Sequence, residues 1–307
     1  MAEIGIIGSG NLGANAAFFM AESQVGDVCL YDLQAGLSFG KSLDLMEAAP
    51  VRGYRAAVDG SDELGTVLDT QVLIIAAGAI REPGQGSDDL LVTNGAVIKE
   101  IAAAVKDYAG VVIIATEPVD PLTALFGRES GIEPRRVFGF SGMLDGARVR
   151  LKLSRELGVE PEDIDALLIG RHDERLIALP NYTRVSGIPV LQLVDEVRLH
   201  ELVAEVGKAE SLILDLAKKT NSFYGPAAAL AELAEAVVWD SGRVTSVSVM
   251  LNGEYGMNAG AIGLPAIIGG EGIRRVLLPQ LSEDQLSRLR RSVDEVVEMV
   301  DRAGGQA

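Results

Sequence analysis

The chain has 307 residues, a net charge of −17 and 48% apolar residues. That length exceeds one compact core and suits two domains of roughly 150 residues each. The acidity repels nucleic acid and anionic membrane surfaces, and no run approaches the ~18 uninterrupted apolar residues of a membrane span, so neither partner is expected.

Met1-Ala2-Glu3 leads straight into an apolar run, with no basic or apolar leader ahead of it, which predicts a cytoplasmic location. The run Ile4–Ile7 reads as a buried strand. It feeds Gly8-Ser9-Gly10-Asn11-Leu12-Gly13, followed by the helix-like stretch Ala14–Glu22 and a second strand, Val28–Tyr31, that ends at Asp32. In this pattern Gly8 permits a tight turn, Gly10 lets backbone approach a pyrophosphate, and Gly13 lets the helix pack closely on the strand. The helix N-terminus offers free N–H groups to phosphates. Asp32, about twenty residues on, can accept hydrogen bonds from ribose hydroxyls and would repel a 2′-phosphate, so the expected cofactor is NAD rather than NADP. Cys29, the only cysteine, lies within the second strand and reads as a small core residue.

Further strand-like runs at Val72–Ala76, Val111–Ala115 and Val137–Phe140 alternate with helix-length amphipathic stretches. That alternation predicts an α/β fold: a Rossmann doubly wound parallel sheet over residues 1–142. The pattern changes over 143–307. A helix at Leu144–Leu157 and a short strand at Ala166–Ile169 precede two helical blocks, Glu201–Lys219 and Pro226–Trp239. Strands at Thr245–Leu251 and Ala261–Ile268 and a last helix at Glu283–Asp301 complete a mixed α+β substrate domain. Chemistry in such an arrangement is expected in the crevice at the carboxyl ends of the parallel strands.

Several segments, in order, resemble the lactate/malate dehydrogenase family over nearly the whole chain. They are Ala77-Gly78-Ala79-Ile80-Arg81-Glu82-Pro83-Gly84 with Asp88-Asp89-Leu90-Leu91, Leu144-Asp145-Gly146-Ala147-Arg148, Leu168-Ile169-Gly170-Arg171-His172, Tyr224-Gly225-Pro226-Ala227-Ala228-Ala229, and Asn252-Gly253-Glu254-Tyr255-Gly256. The resemblance implies reversible hydride transfer between NAD and a small 2-hydroxy/2-oxo acid. It pairs His172, as acid/base, with Asp145, whose carboxylate would fix the imidazole tautomer and raise its pKa. It gives Arg148 the substrate's C1 carboxylate. Arg81 falls where the family reads the far end of the substrate, and an arginine there implies a second carboxylate, as in malate and oxaloacetate. Asn94 and Thr116 match positions that touch the nicotinamide end. The loop Pro83-Gly84-Gln85-Gly86 would close over the substrate. His200 has no such match and reads as a helix-surface residue.

The chain departs from the family at Ser87, where an arginine normally polarises the substrate carbonyl; loss of one such donor costs about 10²–10³ in rate. It departs at Glu117, where an asparagine is usual and an ionised glutamate would oppose a dicarboxylate unless protonated or paired. Arg171 and Arg175 are also unexpected. Either could pair with Glu117 or supply the missing guanidinium, or both could be solvated surface residues. Three functions follow: a malate-type dehydrogenase; a related dehydrogenase whose substrate bears an amino, imino or hydroxyl group; or an NAD-binding protein with little turnover. The helix Ser38–Glu47 resembles the family's subunit-contact helix, implying a homodimer or homotetramer. With two distant histidines and no Cys/His cluster, no metal is expected.

Overall fold

The computed structural model describes residues 3–218 and 221–304. Met1, Ala2 and Lys219, the last residue of one predicted helical block, lie outside the described residues. The first half runs β1 (Ile4–Ile7), α1 (Asn11–Glu22), β2 (Val28–Tyr31), α2 (Leu37–Arg52), β3 (Val58–Ser61), β4 (Val72–Ile75), α3 (Leu91–Ala104), β5 (Val111–Ile114), α4 (Val119–Ser130) and β6 (Val137–Gly139). The second half opens with α5 (Gly142–Leu157) and the short strands β7 (Ile164–Asp165), β8 (Leu168–Ile169), β9 (Ile177–Ala178), β10 (Arg184–Val185) and β11 (Ile188–Pro189). It continues with α6 (Glu196–Gly207), α7 (Ala209–Ala217), α8 (Tyr224–Val238), β12 (Arg243–Met250), β13 (Ala261–Gly269), β14 (Gly272–Val276) and α9 (Glu283–Gly304).

Among the described residues, nine strands form one sheet in the order β14-β13-β12-β6-β5-β4-β1-β2-β3. From β3 to β6 the pairing is parallel, whereas β12, β13 and β14 add antiparallel beyond β6. The second half therefore extends the sheet of the first. Strands β1, β4 and β5 are runs such as Val-Leu-Ile-Ile, buried at every residue, as expected for parallel strands covered on both faces. Because β2 lies on one side of β1 and β4 on the other, the chain reverses direction there and leaves a crevice at the carboxyl ends.

Strands β3 and β14 of the large sheet, and the two-residue strands β7, β9, β10 and β11, were not expected from the sequence. Strand β3 has the composition Val-Asp-Gly-Ser and β14 is Gly-Ile-Arg-Arg-Val, both too polar to stand out as apolar runs. The predicted block Glu201–Lys219 is two helices, α6 and α7, broken at Lys208. The break matters, because α7 carries Glu210 into the crevice. Cys29 is buried in β2 and His200 is exposed on α6, as their sequence contexts predict.

Candidate active site

The glycine-rich turn between β1 and α1 leaves room for a phosphate ligand. Gly8 has φ +106, and a Cβ on Gly13 would lie 1.9 Å from the Gly8 carbonyl oxygen, so helix and turn require glycine at both positions. A Cβ on Gly10 would meet nothing within 4 Å, since that face opens onto the crevice. The Ser9 N–H donates to Asp32 Oδ2 at 2.7 Å and the Gln34 N–H to Asp32 Oδ1 at 2.9 Å, fixing the carboxylate at the end of β2. The crevice, about 700 Å³, is lined by Gly8, Gly10, Asn11, Leu12 and Asp32 at one end and by Thr116, Phe140 and His172 at the other. The crevice has room for an extended dinucleotide, with Asp32 at one end and His172 at the other. Ser9 and Gly13 sit behind this wall.

Asn94 has a different place from the one expected. Its side chain is fully buried: Oδ1 accepts from the Ala79 N–H at 2.7 Å, while Nδ2 donates to the Glu117 carbonyl at 2.7 Å and the Ala79 carbonyl at 3.1 Å. It braces the loop after β4 against the turn at residues 116–118 and does not line the crevice. Thr116 does line it, with Oγ1 donating to the Ala77 carbonyl at 2.7 Å.

His172 is positioned by four contacts. Strand β8 ends at Ile169, and Gly170, at φ +96, bridges to Gly263 of β13 and turns the chain into the crevice. The His172 backbone N–H donates to Asp120 Oδ2 at 2.9 Å, and Asp120 is itself held by the Ser248 hydroxyl at 2.6 Å. Phe140 packs edge-on against the ring, centroids 5.7 Å apart. Asp145, in the first turn of α5 and 1% exposed, places Oδ2 2.6 Å from His172 Nδ1. Nε2 is left to face the pocket. Burial alone would lower the imidazole pKa, but the Asp145 carboxylate, helped by Glu210, holds it up at about 9. Burial pushes Asp120 up to about 6.

Beside the crevice lies a second, polar pocket of about 500 Å³, and His172, Glu117, Val119 and Glu210 line both. His172 thus stands at the junction of a dinucleotide-sized cleft and a small polar chamber. Arg148, one turn after Asp145 on α5, and Arg81 reach into this chamber. Neither guanidinium is free. Arg81 Nε pairs with Glu117 Oε2 at 2.9 Å and its Nη2 with Glu210 Oε2 at 2.5 Å. Glu210 Oε1 accepts from Arg148 Nη2 at 2.9 Å and lies 3.9 Å from His172 Nε2.

Glu210 was missed by sequence reasoning. It occupies the first turn of an ordinary amphipathic helix, 62 residues from Arg148 and 129 from Arg81. Burial and the neighbouring Glu210 raise Glu117 to about 8, whereas, against its burial, the bond with Glu117 and then His172, Arg148 and Arg81 hold Glu210 below the usual carboxylate range. The two therefore act as a carboxyl and a carboxylate sharing one proton.

Ser87 lines the polar pocket at the start of the short helical turn Ser87–Leu90. The suggested compensation by Arg171 or Arg175 does not occur through Glu117, which is held by Arg81. Arg171 pairs with Asp88 of that same turn and with Asp173 at 3.0 Å, and Arg175 with Asp173 and with Glu295 at 2.8 Å. Nor is Arg171 a solvated residue, being 2% exposed. It ties the loop of Ser87 to the segment carrying His172.

Residues 2–139 match the lactate/malate dehydrogenase NAD binding domain, and residues 142–304 match the lactate/malate dehydrogenase alpha/beta C-terminal domain. A malate dehydrogenase of Rhodopirellula baltica is 37% identical over 308 residues, covering 99% of this chain and 98% of that protein. One of Methanosarcina acetivorans is 37% identical over 306 residues, covering 99% and 100%. Among solved structures, malate dehydrogenase of Cryptosporidium parvum superposes with a TM-score of 0.95 at 32% identity, covering 98% of each chain. Lactate dehydrogenase of the same organism, complexed with lactic acid and nicotinamide adenine dinucleotide, superposes at 0.94 with 28% identity, covering 99% and 98%. The chain belongs to the lactate/malate dehydrogenase family, with an NAD-binding domain in its first half.

Proposed function

We propose that this protein is an NAD-dependent dehydrogenase that interconverts a small 2-hydroxy acid and its 2-oxo acid, with His172 as the acid/base. The observation that carries this reading is the place of His172, bound through Nδ1 to buried Asp145 and standing between the dinucleotide cleft and the polar chamber. Gly8, Gly10, Asn11, Leu12 and Asp32 would hold NAD, backed by Ser9 and Gly13. Bound NADH supplies the hydride. For reduction of a 2-oxo acid, imidazolium His172 gives its Nε2 proton to the carbonyl oxygen while Asp145 keeps the ring charged and oriented. For oxidation, neutral His172 takes the hydroxyl proton at Nε2. Arg148, on the helix that carries Asp145, is placed to orient the substrate's carboxylate relative to the ring.

Residues 1–142 would bind cofactor and residues 143–307 would supply His172, Asp145 and Arg148. Relatives named malate dehydrogenase support a dicarboxylate substrate; Glu117 and Glu210 on Arg81 favour the second reading, a shifted substrate. Helix α2 leaves Phe39 and Leu43 44% and 67% exposed, which supports self-association through that face. No described helix is long and apolar enough to cross a membrane, and a cytoplasmic location remains part of this reading. The test is NADH oxidation against oxaloacetate, pyruvate and larger 2-oxo acids with NADPH as control: consumption of NADH in preference to NADPH with at least one of these acids is expected. NADH binding without turnover of any would favour a cofactor-binding protein instead.

A further inference from the structure

The polar chamber carries a carboxylate of its own where an anionic substrate group would be received. Glu210 spans the two arginines, with Oε2 on Arg81 Nη2 at 2.5 Å and Oε1 on Arg148 Nη2 at 2.9 Å. Glu117 closes the other edge of Arg81, Oε2 to Nε at 2.9 Å. Arg81 is 8% exposed, so its guanidinium is met by the Glu210 carboxylate and the Glu117 carboxyl before any ligand arrives. A distal carboxylate entering here would bring a second full negative charge to a guanidinium already paired with Glu210, in a part-buried site where water screens it only weakly.

The placement of Glu210 is built into the fold. Gly207, at the end of α6, packs so tightly on the His172 loop that a Cβ there would lie 2.9 Å from Glu174 Cα, and the chain then breaks and restarts as α7. Glu210 thus enters the chamber from an anchored helix start.

We infer that Glu210, with Glu117, sets the substrate class: a small 2-oxo or 2-hydroxy monocarboxylate whose distal end donates hydrogen bonds instead of carrying a negative charge. This inference rests on the dehydrogenase reading and narrows it. The substrate's C1 carboxylate keeps the remaining edge of Arg148, whose other nearby acid, Asp145, is 3.6 Å from Nη1. The distal group faces the Glu210 carboxylate, which accepts from a carboxamide N–H or a hydroxyl and repels a carboxylate, and the Glu117 carboxyl, whose oxygens also accept. Glu117, carrying the shared proton, also leaves only one full negative charge in the pair.

The test uses an isosteric pair, 2-oxosuccinate and its 4-carboxamide, with the full chain and its Glu210→Gln and Glu210→Ala variants. The wild type is expected to favour the amide in kcat/KM by at least about tenfold, and Glu210→Ala to reverse the preference by freeing both guanidinium edges. A purely structural role for Glu210 would slow both acids alike and leave the ratio unmoved, which overturns the inference, as does a wild-type preference for the dicarboxylate. If neither the wild type nor a variant reduces either acid or any other 2-oxo acid of the panel, the dehydrogenase reading fails. Binding to the protein–NADH complex, read by nicotinamide fluorescence, then decides: tighter amide binding in the wild type, reversed in Glu210→Ala, sustains the specificity, and equal binding overturns it.

Discussion

Asp145 Oδ2 lies 2.6 Å from His172 Nδ1, and both side chains are buried. That contact sets which nitrogen faces the polar chamber and how tightly it holds a proton. His172 is raised from 6.5 to about 9 in the folded protein, so it is imidazolium at neutral pH. Reduction of a 2-oxo acid needs that form. Its rate is expected to be full at neutral pH and to fall as pH rises through about 9, while oxidation of the 2-hydroxy acid rises over the same interval. Asp145→Asn removes the charge that opposes burial. The reduction limb should then move to lower pH and kcat should drop by about 10²–10⁴, as read from pH–rate profiles in both directions.

We propose that cofactor choice rests on Asp32, whose carboxylate is fixed by the Ser9 and Gln34 N–H groups at one end of the cleft. Asp32→Asn keeps an oxygen for the Ser9 N–H and removes the charge. The ratio of kcat/KM for NADPH to that for NADH is expected to rise by about tenfold or more, equivalent to ~1.4 kcal/mol. An unchanged ratio would mean that another group excludes the 2′-phosphate.

Glu117 has a consequence for stability. Its carboxyl is raised from 4.5 to about 8, so between those values the folded protein holds a proton that the unfolded chain has released. The stabilisation tied to this group is present below pH 4.5 and is lost as pH rises towards about 8. Over pH 5–6.5, below the range where His172 contributes, the slope attributable to Glu117 is at most about −1.4 kcal/mol per pH unit. Glu117→Gln should remove that slope, as seen in the difference between wild-type and variant denaturation curves across this interval.

Arg171 joins the Ser87 loop, through Asp88, to the His172 segment, through Asp173. Arg171→Met removes a buried cation and leaves its acidic partners facing one another. A loss of about 3 kcal/mol in stability is expected, at the lower end for a broken buried pair because Asp88 and Glu295 are half-exposed. The freed loop should also raise KM. Denaturant midpoints and steady-state kinetics measure the two effects.

Much of this architecture was legible in the sequence because its determinants are local. Strand β1, the glycine turn, α1, and β2 ending at Asp32 follow from apolar runs and glycine spacing, and the observed bounds of β1 and β2 match those predicted. Asp145 and Arg148 share one helical turn, and His172 follows a short apolar strand. The electrostatic partners were hidden because they are long-range. Glu210 looks like a solvent-facing residue until the break at Lys208 turns α7 over the site, and Asp120 reaches the His172 backbone across 52 residues. Asn94 was legible as a site-adjacent residue, but only its three buried hydrogen bonds define it as a brace.

The most direct measurement is single-turnover NADH oxidation with a 2-oxo acid by the wild type and by His172→Asn, alongside NADH binding by fluorescence. Rapid oxidation in the wild type, a loss of at least about 10² in the variant and unchanged NADH binding are predicted. A variant that oxidises NADH as fast as the wild type, or a wild type that binds NADH tightly and reduces no 2-oxo acid, would contradict the assignment of His172 as the proton donor.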